Sequence, residues 1–335
     1  DRWGRRPVLL AGLLQFALAS LLCTLASSIP LLIAGRFLQA VGAAAGMVLA
    51  RAIIRDTMAP VDATRALAHM GSTVAIAPAV GPIIGGLLAV HAGWWSIFLL
   101  LAICGVVSSA VAAVWIPETL RHEDRQALDA RTIIGNYRLL LSHRVFLGFT
   151  LAASLIYCAH YAFLSNVSFV LIDLFKVPTQ DFGWYYLLVL IAFISGNLLG
   201  ARLTRRVALH KLIVTGGSLL AGGGLLMVIL VLAGFARPAA IIGPELVISM
   251  GAGLMMPACV ASALTPFGRL AGTASAMMGF LQMSMAALTS AVVGYLYDGT
   301  ARPMAFAIAA SGIGALLSYL LVIGRAQDVT PKTKQ

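Results

Sequence analysis

Long apolar runs, broken by short clusters of arginine, glycine and proline, set the pattern of this chain. Ten such runs stand at roughly 8–27, 31–54, 65–90, 94–116, 145–172, 182–203, 211–234, 239–263, 270–295 and 303–324. Each matches or exceeds the ~20 residues that an α-helix needs to cross ~30 Å of hydrocarbon. A transmembrane β-barrel is excluded, because its strands would alternate apolar and polar positions. The pattern predicts an all-α membrane protein whose spans are joined by short loops, except across residues 117–144.

Composition agrees: 60% of residues are hydrophobic and 10% charged, against ~25% charged in an average soluble domain. The formal charge of +11 first invites a nucleic-acid partner, but its distribution gives it another meaning. Threading the ten spans alternately through a bilayer puts 19 of 23 basic residues on one side, from Arg2, Arg5 and Arg6 to Arg325, Lys332 and Lys334. Opposite lie only Lys176, Arg237 and Arg302, while Arg36 falls within a span. By the positive-inside rule the basic side is cytoplasmic, both ends of the chain lie there, and no nucleic-acid role is left to explain. Cys23, Cys104, Cys158 and Cys259 are scattered through the spans without metal-ligand spacing, so neither a metal nor a cofactor is expected.

The loop at 117–144, from Pro117-Glu118-Thr119 to Arg144, is the one plausible linker. It divides a bundle at 1–116 from a six-span bundle at 145–335. A shift of 200 residues lays Arg2, Arg5 and Arg6 on Arg202, Arg205 and Arg206, each trio just before an apolar run. A shift of 208 sets Ala66, Ala68, Met70 and Gly71 against Ala274, Ala276, Met278 and Gly279. Parallel repeats of six spans each follow. The first half then lacks two of twelve helices, and Asp1, with no initiator Met or signal peptide before it, is read as the middle of a longer protein.

Four segments carry chemistry. In Asp1-Arg2-Trp3-Gly4-Arg5-Arg6-Pro7, Gly4 permits a turn with positive φ and Pro7 suits the first turn of a helix. Asp1 can pair with an arginine or a helix N-terminus. A basic loop that only fixes orientation is the alternative. In the second span, Arg36 and Gln39 share a helical face, and Gly42 with Gly46 allows close packing. An arginine inside a span needs a partner or a water-filled cavity, unless it snorkels to the nearby interface. In the third, Ala77, Gly81 and Gly85 form a small-residue stripe, while Pro78 and Pro82 remove backbone donors and bend the helix; static packing is the alternative. Glu245 is the one acid of twelve inside a predicted span. It is a proton-site candidate, because a charge is costly in the membrane and proton uptake removes it; a later helix start would leave it at the outer interface. Tyr157, His160, Tyr161 and Asn166 interrupt the first span after the linker and offer aromatic faces to flat organic molecules in a cavity. Interhelical or interfacial hydrogen bonding serves them equally well.

The opening heptapeptide resembles the loop between the second and third helices of the major facilitator superfamily, and Gly81-Pro82-Ile83-Ile84-Gly85-Gly86 resembles its fifth-helix antiporter signature. With Arg36-Phe37-Leu38-Gln39, Arg51-Ala52-Ile53-Ile54-Arg55-Asp56, Ala162-Phe163-Leu164-Ser165 and Phe169-Val170-Leu171-Ile172, the chain resembles the Bcr/CflA branch of twelve-helix drug:proton antiporters. The resemblance implies a major facilitator fold of two pseudo-symmetric bundles, with ten of twelve transmembrane helices present. It implies a monomer in a bacterial inner membrane that exports small drug-like molecules in exchange for protons by alternating access. Asp56 then takes the place of the acid that completes a cytoplasmic latch with Asp1, Arg2, Gly4, Arg5 and Arg6. Pro78, Gly81, Pro82, Gly85 and Gly86 become a bendable seal. Arg36 and Glu245 serve proton coupling, and Gln39 joins the aromatic residues at the substrate cavity. A nutrient importer of the same fold and a non-transporting remnant are rival readings. A membrane-embedded enzyme is not expected, since no clustered nucleophile and base appear.

Overall fold

A computed structural model describes residues 4–119, 130–204, 206–235 and 237–323. Asp1, Arg2, Arg205, Arg325, Lys332 and Lys334 lie outside the described residues, as do the side chains of 71–79. The described residues form helices joined by short turns, with no strand among them. The chain divides into two compact units, Asp1–Leu128 and Asp129–Gln335.

The first unit contains α1 (Arg5–Thr24), α2 (Ile29–Thr57), α3 (Pro60–Ala92) and α4 (Trp95–Trp115). Its centre is α1, which packs along both α2 and α4, while α3 lies at the margin against the same two helices. Close approach of α1 and α2 depends on glycine. A Cβ on Gly42 would stand 2.6 Å from the Gly12 carbonyl and from the Phe16 nitrogen, well inside van der Waals contact. Gly46, expected to share that role, meets only Leu13 at an ordinary 3.7 Å. The start of α2 follows from local chemistry: Ser28 accepts from the Leu31 amide at 3.4 Å, and Pro30 sits in the first turn.

The second unit contains α5 (Ala130–Ser142), α6 (Arg144–Ser168), α7 (Phe182–Leu203), α8 (Leu209–Leu232), α9 (Ala239–Leu264), α10 (Ala271–Tyr295) and α11 (Arg302–Ser318). Helix α9 packs between α7 and α8, α11 against α8 and α6, and α6 against α10. Phe146, Phe163, Leu220, Met255, Met304, Ile308 and Tyr319 fill the core between them. Two π-helical turns, Phe169–Leu174 and Tyr319–Ile323, extend α6 and α11. The last helix begins after a tight turn in which Asp298 accepts from the Thr300 amide and hydroxyl. That hydroxyl, helped by the nearby Arg302 charge, holds the Asp298 carboxyl below its ordinary range.

Nine helices among the described residues are long and apolar enough to cross a membrane. The tenth predicted span, 65–90, falls in α3, which is helical over all 33 residues and carries a shorter apolar stretch, Val80–Ala92. Within the expected linker at 117–144, the described residues are 117–119 and 130–144. Its beginning is tied to the first unit through Glu118, and its last 13 helical residues, α5, belong to the second. Helix α5 was not among the expected elements, because its amphipathicity is too brief to stand out beside runs of 20 or more apolar residues.

Candidate functional site

At the start of α1 the chain turns at Gly4, whose φ is +90°, a conformation that only glycine adopts cheaply. The turn presents two free helix amides, and the Glu118 carboxylate accepts both, from Arg5 at 2.9 Å and from Arg6 at 3.2 Å. A negative group at a helix N-terminus is favoured by the exposed N–H groups and by the helix dipole. The side chains reach outward to neighbouring helices. Arg5 forms an ion pair with Asp56 at the end of α2, and Arg6 donates to the Ala113 carbonyl at the end of α4 at 2.6 Å. Three helix ends are therefore held by one basic turn. The expected pairing of Asp56 with this turn is present and lies within the first unit. Asp1 and Arg2 fall outside the described residues. Glu118 was missed, although Pro117-Glu118-Thr119 directly follows an apolar run on the same face of the membrane as Arg5 and Arg6.

Further along α2, Arg36 Nη1 donates to Gln39 Oε1 at 2.5 Å. Gln39 Nε2 donates to Ser20 Oγ of α1 at 2.6 Å, and Ser20 donates to the Phe16 carbonyl at 2.7 Å. A hydrogen-bonded chain thus runs from a cation to the backbone of the next helix. Gln39 and Ser20 are buried, whereas Arg36 is exposed on its unit. Its guanidinium carbon lies 5.8 Å from the Phe98 ring centroid, a cation–π geometry worth about 0.5–2 kcal/mol. Ser20 was not legible, because it reaches Gln39 from a different helix.

In the second unit Glu245 lies nearly two turns into α9 and is 0% exposed. The helix therefore starts before Glu245, at Ala239, as the apolar run predicts. Its Oε1 accepts from Ser249 at 3.3 Å, and its Oε2 has no hydrogen-bond partner among the described residues. Tyr186 of α7 is within electrostatic range of both Glu245 and Tyr161 of α6. Tyr161 is stacked on Tyr157 at 6.1 Å with planes 22° apart. Ser290 of α10 donates to the Tyr161 carbonyl at 3.1 Å and lies 2.8 Å from the Ser165 hydroxyl. Three helices thus contribute an acid and three phenols linked pair by pair, Glu245 to Tyr186, Tyr186 to Tyr161 and Tyr161 to Tyr157. A buried carboxylate left without partners costs several kcal/mol.

His160 and Asn166, expected beside Tyr157 and Tyr161, each have a contact of their own. The His160 ring lies 6.4 Å from that of Phe193, and the Asn166 amide is spent on the Ala162 carbonyl of its own helix at 3.0 Å. Of the third-span motif, the side chain of Pro78 lies outside the described residues. Among the described residues, nothing stands within 4 Å of a Cβ built on Gly81, and Gly85 meets only Ile97 at 3.9 Å. Pro82 and Gly86 are half-buried in the same helix. Among the described residues of the first unit, no close backbone approach is made at Gly81 or Gly85.

Comparison with known proteins places this arrangement. The Major Facilitator Superfamily model matches residues 1–290. The chain is 30% identical to the bicyclomycin resistance protein homolog of Haemophilus influenzae, over 97% of this chain and 81% of that protein. It is 28% identical to the chloramphenicol resistance protein CraA of Acinetobacter baumannii, over 89% of this chain and 71% of that protein. Among solved structures, a bacterial homolog of the human lysosomal transporter Spinster, inward-facing and unoccupied, superposes with a TM-score of 0.68 at 13% identity. It covers 97% of this chain and 82% of that one, a likeness of fold.

Proposed function

Because this chain belongs to the major facilitator superfamily, we propose that it exports small drug-like molecules across the bacterial inner membrane in exchange for protons, by alternating access. Relatives named for resistance to bicyclomycin and chloramphenicol support the cargo class. One observation carries the coupling: Glu245 is wholly buried, with one oxygen lacking any hydrogen-bond partner among the described residues. Protonated, it is a neutral group at small cost; ionised, it demands a counter-charge or water. Proton binding and the binding of a drug that compensates the carboxylate then oppose one another, as exchange requires. Tyr157, Tyr161 and Tyr186 supply flat faces for aromatic cargo.

Arg36 takes a supporting place, as a fixed charge at the head of the Gln39–Ser20 chain whose alignment follows the state of the first unit. The basic turn at Arg5 and Arg6, held by Asp56 and Glu118, keeps the ends of three helices together while the unit moves. The basic loops face the cytoplasm.

Everted membrane vesicles carrying the full protein test the reading. Chloramphenicol should accumulate inside them when respiration acidifies the lumen, and a protonophore should release it. Glu245→Gln should abolish the gradient dependence while the protein still inserts. Accumulation indifferent to the proton gradient overturns the coupling, and loss of solute from everted vesicles on energisation would mark an importer.

A further inference from the structure

Helix α5 ends one residue before α6, which is long and apolar enough to span the membrane. Its C-terminal end is therefore tethered at the bilayer surface, on the basic side. It is 13 residues long, and its two sides differ sharply in polarity. Leu140 is 0% exposed and anchors it to the bundle, where its neighbours are α6 and α10. A separate ridge is left open: Ile134, Tyr137 and Leu141 recur at i, i+3 and i+7 and are 66%, 37% and 45% exposed. At 100° per residue this spacing gathers them on one face. The same register sets Arg131 and Arg138 along the edge of the ridge, and Arg138 is exposed. No acidic residue occurs from 130 to 144, where Arg144 adds a third positive charge. Among the described side chains of α5, the apolar Leu139 is exposed away from the ridge.

We propose that α5 is an interfacial helix that seats its Ile134–Tyr137–Leu141 ridge in the headgroup–acyl boundary and binds anionic phospholipid through Arg131 and Arg138. An apolar ridge held at the membrane surface is covered by lipid more readily than by water. A tyrosine on such a ridge places its ring at headgroup level. The flanking guanidiniums match phosphodiester oxygens, to which arginine can present two parallel donors. Charge complementarity selects anionic over zwitterionic lipid. The helix then acts as a tie that fixes the start of α6 relative to the bilayer plane, independently of which cargo the protein moves.

Hydrogen exchange of the whole protein in nanodiscs tests this. Backbone amides of 130–142 should exchange at least about fivefold more slowly in phosphatidylcholine mixed with phosphatidylglycerol than in phosphatidylcholine alone. Amides in the core of α8 should not change. The double variant R131Q/R138Q should lose the difference and keep the fold, and Ile134→Asp should raise exchange in both lipids. Equal rates in the two lipids overturn the proposal. So does protection in detergent that grows with protein concentration, which would assign the ridge to a second copy of the chain.

Discussion

Glu118 and Gly4 act as one device, and each predicts the effect of changing the other. Glu118→Ala removes an acceptor shared by two amides, so it should lower stability by about 1–2 kcal/mol, the usual cost of a lost helix cap. Glu118→Gln, which keeps a neutral oxygen, should lose less. At Gly4 a Cβ would meet both a φ of +90° and the Glu118 carboxylate, 2.5 Å from its Oε2. Gly4→Ala should therefore cost at least as much, through strain and through the displaced cap. Denaturant unfolding in detergent, followed by near-ultraviolet circular dichroism, ranks the three variants. Arg36 and Gln39 could be paired from the sequence because i and i+3 meet on any helix. Ser20, Tyr186 and Glu118 could not, because their partners come from other helices and no spacing rule reaches that far.

At the scale of elements, the apolar runs made the spans legible almost to their ends, since hydrocarbon thickness dictates their length. Their packing was less legible, because small residues mark a possible contact without saying whether it is made. Gly42 and Gly81 separate the two cases. At Gly42 a side chain meets backbone atoms of α1, so Gly42→Ala should force α1 and α2 apart at a cost of about 1–3 kcal/mol. At Gly81 there is open space within the unit, and Gly81→Ala should leave thermal stability in detergent nearly unchanged. Equal losses at the two sites would contradict the packing described. Helix α5 escaped notice for another reason: its brief apolar face is embedded in charges that read as loop.

For the whole molecule, the charge distribution predicts a sidedness that can be tested. A cysteine placed at Ser142, two residues before α6 and exposed, should resist a membrane-impermeant maleimide applied outside spheroplasts. One at the exposed Thr179, in the loop before α7, should react, in a background where the exposed Cys104 is replaced by serine. The reverse pattern would invert the topology. The family was legible from motifs clustered in residues 1–90. The proposed coupling acid was legible only as a lone carboxyl in an apolar run, because the burial of Glu245 comes from helices that no spacing rule brings together. The central claim, exchange of a proton for a drug at that carboxyl, is tested most directly by adding chloramphenicol outside weakly buffered liposomes that contain the purified protein and a pH-sensitive dye. Drug moving one way should drive protons the other, giving a pH change that vanishes in Glu245→Gln while drug still binds. Drug movement without any pH change, or an undiminished pH change in Glu245→Gln, would contradict it.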